Sequence, residues 1–583
     1  MRPTRPAVFG ATCMSTLSPG EIELGLFAPY NKSVELVGSW NDWKPIPLKR
    51  ADDGWWRQVV KLADGEHRYK FRVVSNSYFA RGETLEVFDP YAIQVSDDAQ
   101  EATVIRVEGG RQNEYSYEWK HDKVPLPTND KLVIYEMHVG DFTRGLGGRS
   151  ADGRWEKGQF KHVLEKLDYL VGLGINCVEL MPVKEFPGQS WGYNLKSLFA
   201  IENTYGPAAD LARLIDELHG RGIRVIMDGV YNHADKDAPL AHIDYDYWFH
   251  NPNPDPPEMQ WGPKYDYGKW DDSLKVFPAR KYAIDSIRRM IEWFHIDGIR
   301  FDATRAIGKF DILRELAETG IKMTHGIKPF INVCEHISED PAVTGYPDGP
   351  MHAAWHESLA KHIQAAAATA PVDWASPDDL DTLVKEMNPA TNGYGQGWRT
   401  INYASSHDQN RLIRTIGEKG HIFDAGAFRR MKLAAGLLLT IPGVPMIWMG
   451  QEFGQDNDKN HAEARPLDWN LLDNEGNADL QRHTAKLIKL RHATEAMWSD
   501  HFEVVLMDRA RRVIAYKRWN EHGGLVVVAA NLTDDPAGGF EIAGKGLEDG
   551  VWREEVGGAE VKVEGGVLRG DLGPSEVKVY VKQ

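Results

Sequence analysis

Cysteine is almost missing: 583 residues contain Cys13, Cys177 and Cys334 and no others. Thiols so few and so scattered build neither a disulfide framework nor a metal cluster, and they read as small buried hydrophobes in a reducing compartment. Excess positive charge is missing too. Lys and Arg number 68 against 85 Asp and Glu, a net charge of −17, and a phosphate backbone is held by clustered cations, so no nucleic-acid partner is expected. The N-terminus has Arg2 and Arg5 but no apolar run of the length a secretory signal needs. The most apolar stretch, Leu433 to Met449, is cut by Thr440, Pro442, Gly443 and Pro445, which predicts a buried helix and then a buried strand rather than a membrane span. No Gly-rich phosphate turn follows an early strand, which argues against a doubly wound dinucleotide fold. These absences predict a soluble, cytoplasmic protein with no membrane partner.

What is present is a globular balance, 42% hydrophobic and 26% charged, long enough for two to four domains at about 150 residues each. The 19 Trp and 21 Tyr offer flat apolar faces with polar edges, which suits neutral polar ligands. Residues 1–112 read as an N-terminal β-sandwich, since Val34–Gly38 and Tyr69–Val73 alternate apolar and polar. Their turns carry Trp40, Trp43, Trp55 and Trp56, which either pack against the next domain or stack on glycans. Residues 113–130, with Pro125 and Pro127, read as a linker.

Over residues 131–497 short apolar strands alternate with amphipathic helices, with a short excursion near 234–275. Strands are predicted at Lys131–Tyr135, Ile175–Leu180, Arg224–Met227, Gly298–Asp302, Pro329–Glu335, Ala353–Glu357, Thr400–His407 and Met446–Met449. Helix faces show at Val163, Leu164, Leu167, Leu170 and Val171, at Leu211, Leu214, Ile215 and Leu218, and at Ile284, Ile287, Ile291 and Phe294. Strand and helix alternating eight times is the pattern of an α/β protein, a (β/α)8 TIM barrel with its active site at the C-terminal ends of the strands. Residues 498–583, with apolar runs at Val504–Leu506, Val513–Tyr516, Leu525–Val528 and Val577–Tyr580, read as a C-terminal β-sandwich.

Four of the barrel strands stop in charged residues: Ile226 to His233, Gly298 to Asp302, Ile331 to His336, and Tyr403 to Asp408. Each offers a carboxylate at a strand end, and three of the four also carry a histidine. Arg300 and Asp302, two apart on a strand, share one face. A guanidinium there favours an ionised Asp302, as a nucleophile requires. Glu335 follows the apolar Phe330 to Cys334, a setting that raises a carboxyl pKa and suits a general acid. Two carboxylates in contrasting surroundings are what glycoside hydrolysis needs. The competing reading is an Arg300–Asp302 ion pair that merely braces the barrel.

In order and in strand placement, these four motifs resemble the conserved regions of the α-amylase family, glycoside hydrolase family 13, over residues 131 to about 500. The resemblance implies that Asp302 is the nucleophile, Glu335 the acid/base and Asp408 the transition-state stabiliser. It places His233, Arg300 and His407 around the cleaved sugar and Asp228 in support, and Ser190-Trp-Gly-Tyr193 is similar to the segment whose Tyr193 stacks under that sugar. Val37 to Trp43 and Asp89-Pro-Tyr91 resemble a family 48 carbohydrate-binding module, a companion of enzymes acting on branched glucans. The implied reaction is retaining cleavage of α-1,4 glucans, maltodextrins or glycogen through a glycosyl-enzyme. Tyr231-Asn232 before His233 is similar to hydrolases, whereas Met449 to Gly454 and Leu467 to Leu472 resemble branching enzymes. Maltooligosyltrehalose trehalohydrolases share the N-terminal module and a Gln at Gln409, but depart at His336 and at Asn410-Arg411. A catalytically dead, glucan-binding scaffold would be expected to lack one of the three carboxylates, and all are here. The resemblance makes Asn232 a candidate calcium ligand, but with so short an excursion no metal and no cofactor is expected. The expected partner is an α-glucan or maltooligosaccharide.

Overall fold

The computed structural model describes residues 17–582 apart from 114, 144–156, 189, 458–464 and 545; Arg2, Arg5 and Cys13 lie outside the described residues. Eight parallel strands close into a barrel: β1 (Ile134–Met137), β2 (Cys177–Leu180), β3 (Arg224–Gly229), β4 (Gly298–Phe301), β5 (Ile331–Cys334), β6 (Ala353–Trp355), β7 (Thr400–Tyr403) and β8 (Val444–Trp448). The seam pairs Ile134 of β1 with Met446 of β8. Helices such as Ala208–His219, Pro278–Phe294, Phe310–Thr324 and Ala425–Thr440 return the chain between strands on the outside.

Strand alternation sorts the barrel into layers. Ile134, Cys177, Ile226, Ile331 and Val333 point inward and form a closed apolar cluster with Trp355, Tyr403 and Met446. Their neighbours Tyr135, Val178, Val225 and Ile299 point outward into the much larger core shared with the helices. Burying each such aliphatic side chain contributes about 1.5–3 kcal/mol. One step of two further along, the inward positions become Glu136, Glu179, Asp228 and Arg300, all buried. The apolar plug thus ends in a polar layer just beneath the mouth.

Three local readings need adjustment. The first strand runs Ile134–Met137 rather than Lys131–Tyr135, because residues Asn129–Lys131 make a 3-10 turn that delays it. The helical face from Val163 to Val171 is split into Phe160–Leu164 and Leu167–Leu173, with Lys166 in a non-helical conformation between them. The stretch from Leu433 is a buried helix to Thr440 and then β8, as its sequence predicts. Between them Gly443 has φ 114°, where a Cβ would run into the Asn402 amide. Among the described residues no helix is long and apolar enough to cross a membrane.

The N-terminal β-sandwich has a three-stranded sheet (Glu21–Phe27, Trp55–Lys61, Lys49–Arg50) facing a larger one built on Val34–Gly38 and Gly65–Val74. It is seated on the barrel's third crossover. Asn31 Nδ2 donates to the Ile243 carbonyl (2.8 Å) and Ser75 Oγ to that of His242 (2.6 Å). The four indoles divide. Trp55 is buried against Phe27 and Tyr91, and Phe27 in turn meets Trp248 of the crossover. Trp56 donates its Nε1–H to Ala28. Trp40 and Trp43 stay half-buried, with Trp40 lying over Gly38. After the barrel, a six-stranded antiparallel sheet contains Phe502–Asp508, Val513–Trp519, Leu525–Asn531 and Val577–Lys582. A two-stranded ribbon, Ala537–Ala543 with Val567–Leu572, completes the C-terminal β domain.

Candidate active site

The mouth of the barrel is organised by one guanidinium. Arg300, fully buried on β4, places Nη1 3.0 Å from both carboxylate oxygens of Asp228 and 2.7 Å from Asp302 Oδ1. Its Nη2 lies 2.9 Å from Glu335 Oε2. Trp355 at the end of β6 sits 4.3 Å from the guanidinium carbon, a cation–π contact that adds to the hold on the fork. These partners come from β3, β4, β5 and β6, so the site requires the closed barrel.

Asp302 follows β4 directly and is 9% exposed. Its Oδ2 accepts from Asn232 Nδ2 at 3.2 Å. The next residue, Ala303, turns left-handed (φ 42°) and aims its N–H at Glu335 Oε2, 2.9 Å away. Burial lifts the Glu335 carboxyl to about 7; Arg300 opposes the lift, and Asp302 and Asp408 add to it. Burial also raises Asp302 and Asp228, against the pull of Arg300. Arg300 does favour an ionised Asp302, but the guanidinium is divided among three carboxylates, and desolvation outweighs its share.

On the opposite wall, Tyr193 donates its hydroxyl to Asp228 Oδ2 (2.6 Å) and stacks on His407, ring centroids 4.9 Å apart and 14° from parallel. His407 Nδ1 is 2.6 Å from Glu136 Oε1, its backbone N–H donates to Glu136 Oε2 (3.3 Å), and its Nε2 lies 3.4 Å from Asp408 Oδ2. Burial pulls this imidazole down, but Asp408 and Glu136 outweigh burial and push it up to about 9. Asp408 has 43% of its side chain exposed and opens to the mouth. His233 contacts Asn194 Oδ1 through Nε2 (3.1 Å) and the side-chain Oδ1 of Asn232 through Nδ1. Burial holds it down at about 4, a neutral ring.

Asp228, Arg300, Asp302 and Glu335 thus form one contact network, with Tyr193, His407 and Asp408 joined through Asp228 and His233 through Asn232. Asn232 is committed to Asp302 and His233 by its two amide atoms. Among the described residues no three His, Cys, Asp or Glu side chains are grouped to hold a metal ion. Sequence reasoning did not single out Glu136, Glu179, Asn194 or Trp355. Glu136 and Glu179 are register partners on β1 and β2. Burial, with Glu136 adding to it, pushes Glu179 well above the carboxylate range.

Comparison with known proteins gives matches to two family models. "Alpha amylase, catalytic domain" matches residues 128–521, and "Carbohydrate-binding module 48 (Isoamylase N-terminal domain)" matches residues 8–92. The chain is 26% identical over 590 residues to the 1,4-alpha-glucan branching enzyme of Corynebacterium jeikeium, covering 94% of this chain and 77% of that protein. It is also 26% identical over 472 residues to the malto-oligosyltrehalose trehalohydrolase of Saccharolobus solfataricus, covering 75% and 74%. Among solved structures, a pullulanase from Anoxybacillus sp. LM18-11 in complex with maltotriose superposes with TM-score 0.78 at 20% identity, covering 97% of this chain and 85% of the other. The type I pullulanase of Bacillus subtilis gives 0.74 at 19%, covering 97% and 84%; both likenesses speak to fold.

Proposed function

The chain belongs to the α-amylase family, and from that footing we propose that it cleaves α-glucosidic bonds of α-1,4 glucans with retention, using water as the acceptor. One observation carries the mechanism: Arg300 touches both Asp302 and Glu335, and burial lifts Glu335 to about 7. Neighbouring carboxylates do not all ionise together in a buried site. The shared proton goes to Glu335, leaving Asp302 with the guanidinium and the Asn232 amide as a nucleophilic carboxylate.

In the first step Asp302 Oδ attacks the anomeric carbon while Glu335 gives its proton to the departing glycosidic oxygen. The His407 imidazolium and Asp408 hold sugar hydroxyls, with contacts that strengthen as the ring flattens toward an oxocarbenium ion. Tyr193, fixed by Asp228 and by its stack on His407, offers its ring to the sugar, and neutral His233 lines the wall. Glu335, now a carboxylate, takes a proton from water, which releases the glycosyl group and restores both residues. We assign residues 131–497 to this catalysis, residues 1–112, joined by the linker 113–130, to glucan binding, and residues 498–583 to the C-terminal β domain. We place the enzyme in the cytoplasm, on storage glucan or maltodextrin.

Water as the acceptor rests on Tyr231-Asn232 at the wall of the site, which is similar to hydrolases. A branching transferase is the second reading, favoured by relatives named branching enzymes that match along more than nine tenths of this chain and by the segment Met449 to Gly454. Incubation with amylose decides between them. Hydrolysis lowers the iodine colour and raises reducing ends together. Falling colour at constant reducing ends, with new α-1,6 signals in proton NMR, would mean branching. Trehalose released from a maltooligosyltrehalose with little attack on amylose would overturn both.

A further inference from the structure

A second cavity, of about 490 Å3, opens at the other end of the barrel. Its walls come from segments that precede the strands: Asn129 and Asp130 before β1, His352 before β6, Trp398 before β7 and Gly443 before β8, with Trp498 and Asp500 closing it from beyond the barrel. It therefore lies at the strands' N-terminal ends, on the face away from Asp302 and Glu335. The volume falls within the roughly 300–1,000 Å3 typical of small-molecule sites.

The lining selects for a class of ligand. Arg491 forms part of the wall, but its Nη1 donates to the Leu439 and Ile441 carbonyls (2.8 and 3.0 Å) and its Nη2 to Gly443 (2.6 Å). No fork of that guanidinium is turned toward an incoming anion, and Asp130 and Asp500 on the same walls repel one. A cavity this wide with two carboxylates is no cage for a cation either. What remains is two half-buried indoles, Trp398 with Arg399 over one face (5.7 Å) and Trp498 with Arg491 over one face (5.2 Å), each with its other face to offer beside carboxylates that accept from hydroxyls. Asp500 Oδ1 already accepts the Gly397 N–H at 2.8 Å, which fixes the carboxylate's orientation. His352 Nδ1 accepts the Asn332 N–H at 2.9 Å, so the neutral ring carries its proton on Nε2, a donor. Flat apolar faces flanked by fixed acceptors and a neutral donor match the C–H faces and hydroxyl edges of pyranose rings.

We propose that this cavity is a second, non-catalytic binding site for a neutral saccharide of about two pyranose rings, separate from the catalytic mouth. The proposal goes beyond the catalytic reading and does not depend on which acceptor that reaction uses.

The test uses the full chain carrying Asp302→Asn, labelled with 5-fluorotryptophan and titrated with maltose. Trp398 reports the lower cavity and Trp355 the mouth, their fluorine resonances assigned with Trp398→Phe and Trp355→Phe. The expected result is a saturable shift of the Trp398 resonance, weakened at least tenfold by Asp130→Ala, a surface change that leaves Trp355 responding as before. Trp398→Ala is expected to keep the kcat/KM of the otherwise wild-type enzyme for maltotetraose within twofold. A Trp398 resonance that stays still while Trp355 shifts would overturn the proposal and leave the catalytic reading standing. So would a Trp398 response reproduced by inorganic phosphate at the same concentration. A Trp398 response with Trp355 unmoved would support the second site and count against the catalytic one.

Discussion

Glu136→Gln tests whether a carboxylate buried under the site keeps His407 charged. Glu136 is 1% exposed and touches both the Nδ1 and the backbone N–H of His407. His407 is raised from 6.5 to about 9 by Asp408 and Glu136 against burial. At about 1.4 kcal/mol per pH unit, that shift corresponds to roughly 3 kcal/mol favouring the imidazolium. Asp408 is partly open to solvent, so its share is the more screened one, and losing Glu136 is expected to remove about half the total, some 1.5–2 kcal/mol. The sign follows from linkage. A histidine whose folded pKa exceeds its unfolded value contributes stability that is complete below about 6.5 and is lost as pH rises through about 9. Unfolding of wild type and Glu136→Gln, compared by urea midpoints at pH 6 and pH 10, should therefore differ most at pH 6 and converge at pH 10. The variant should also lower kcat more than it raises KM, and Glu136→Asp should recover part of the loss. A gap in midpoint that stays constant from pH 6 to pH 10 would refute the argument, because a packing defect has no such titration.

Asp302→Asn should leave the unfolding midpoint close to wild type and lower turnover by several orders of magnitude, since no glycosyl-enzyme forms; activity within tenfold of wild type would remove Asp302 from the nucleophile role. Wild type is expected to show an alkaline limb near pH 7, because a carboxyl lifted to about 7 must be protonated to act as acid, and Glu335→Gln should abolish it. Aryl glucosides with good leaving groups should lose less than amylose in the first step, and an equal loss on both would exclude the acid assignment. Lys184, buried beside the Tyr231 hydroxyl (3.2 Å) and Ser286 (3.4 Å), is pulled down by burial to about 7. Its folded value lies below the unfolded one, so the native state increasingly loses out as pH falls from about 10 to 7. Lys184→Met should gain most at pH 6, by at most roughly 5 kcal/mol, with the gain fading toward pH 10; the same midpoint difference at both pH values would contradict this.

The chemistry was legible where strand parity and residue type agree. Ile226 and Asp228 share a face, as do Arg300 and Asp302, and counting by two from an inward aliphatic finds the polar layer. The same count would have found Glu136 from Ile134, but the predicted first strand ended at Tyr135 and left Glu136 outside it. Glu179 lies within a predicted strand, two from Cys177, but nothing in its own segment marks it as the register partner of Glu136. Contacts between strands were not legible at all. Spacing shows that Arg300 neighbours Asp302, but the bonds from Arg300 to Asp228 and Glu335 arise only when β3, β4 and β5 lie side by side. In the C-terminal domain, the apolar strands stood out, whereas Ala537–Ala543 and Val567–Leu572 are half solvated and interrupted by glycine, so their alternation is weak.

Charge accounting links these gaps to function. Around the mouth, Asp228, Asp302, Glu335, Asp408, Glu136 and Glu179 face Arg300 and His407. Asp408 opens to solvent, but the other five carboxylates cannot all be ionised against two cations, because each uncompensated buried charge costs several kcal/mol. The surplus is relieved at two depths. Glu179, sealed beneath the layer, is pushed well above the ordinary carboxylate range by burial and by Glu136. Glu335, with 18% of its side chain exposed, is lifted only to about 7, where a proton is easily given and recovered. Depth separates the two carboxyls: Glu179 is sealed beneath the layer, whereas Glu335 lies nearer the mouth, where the proposed acid role needs an exchangeable proton. A carboxyl at the rim of this crowded anionic layer is lifted less than one sealed beneath it, a property of the closed barrel rather than of the apolar run that precedes Glu335 in the sequence.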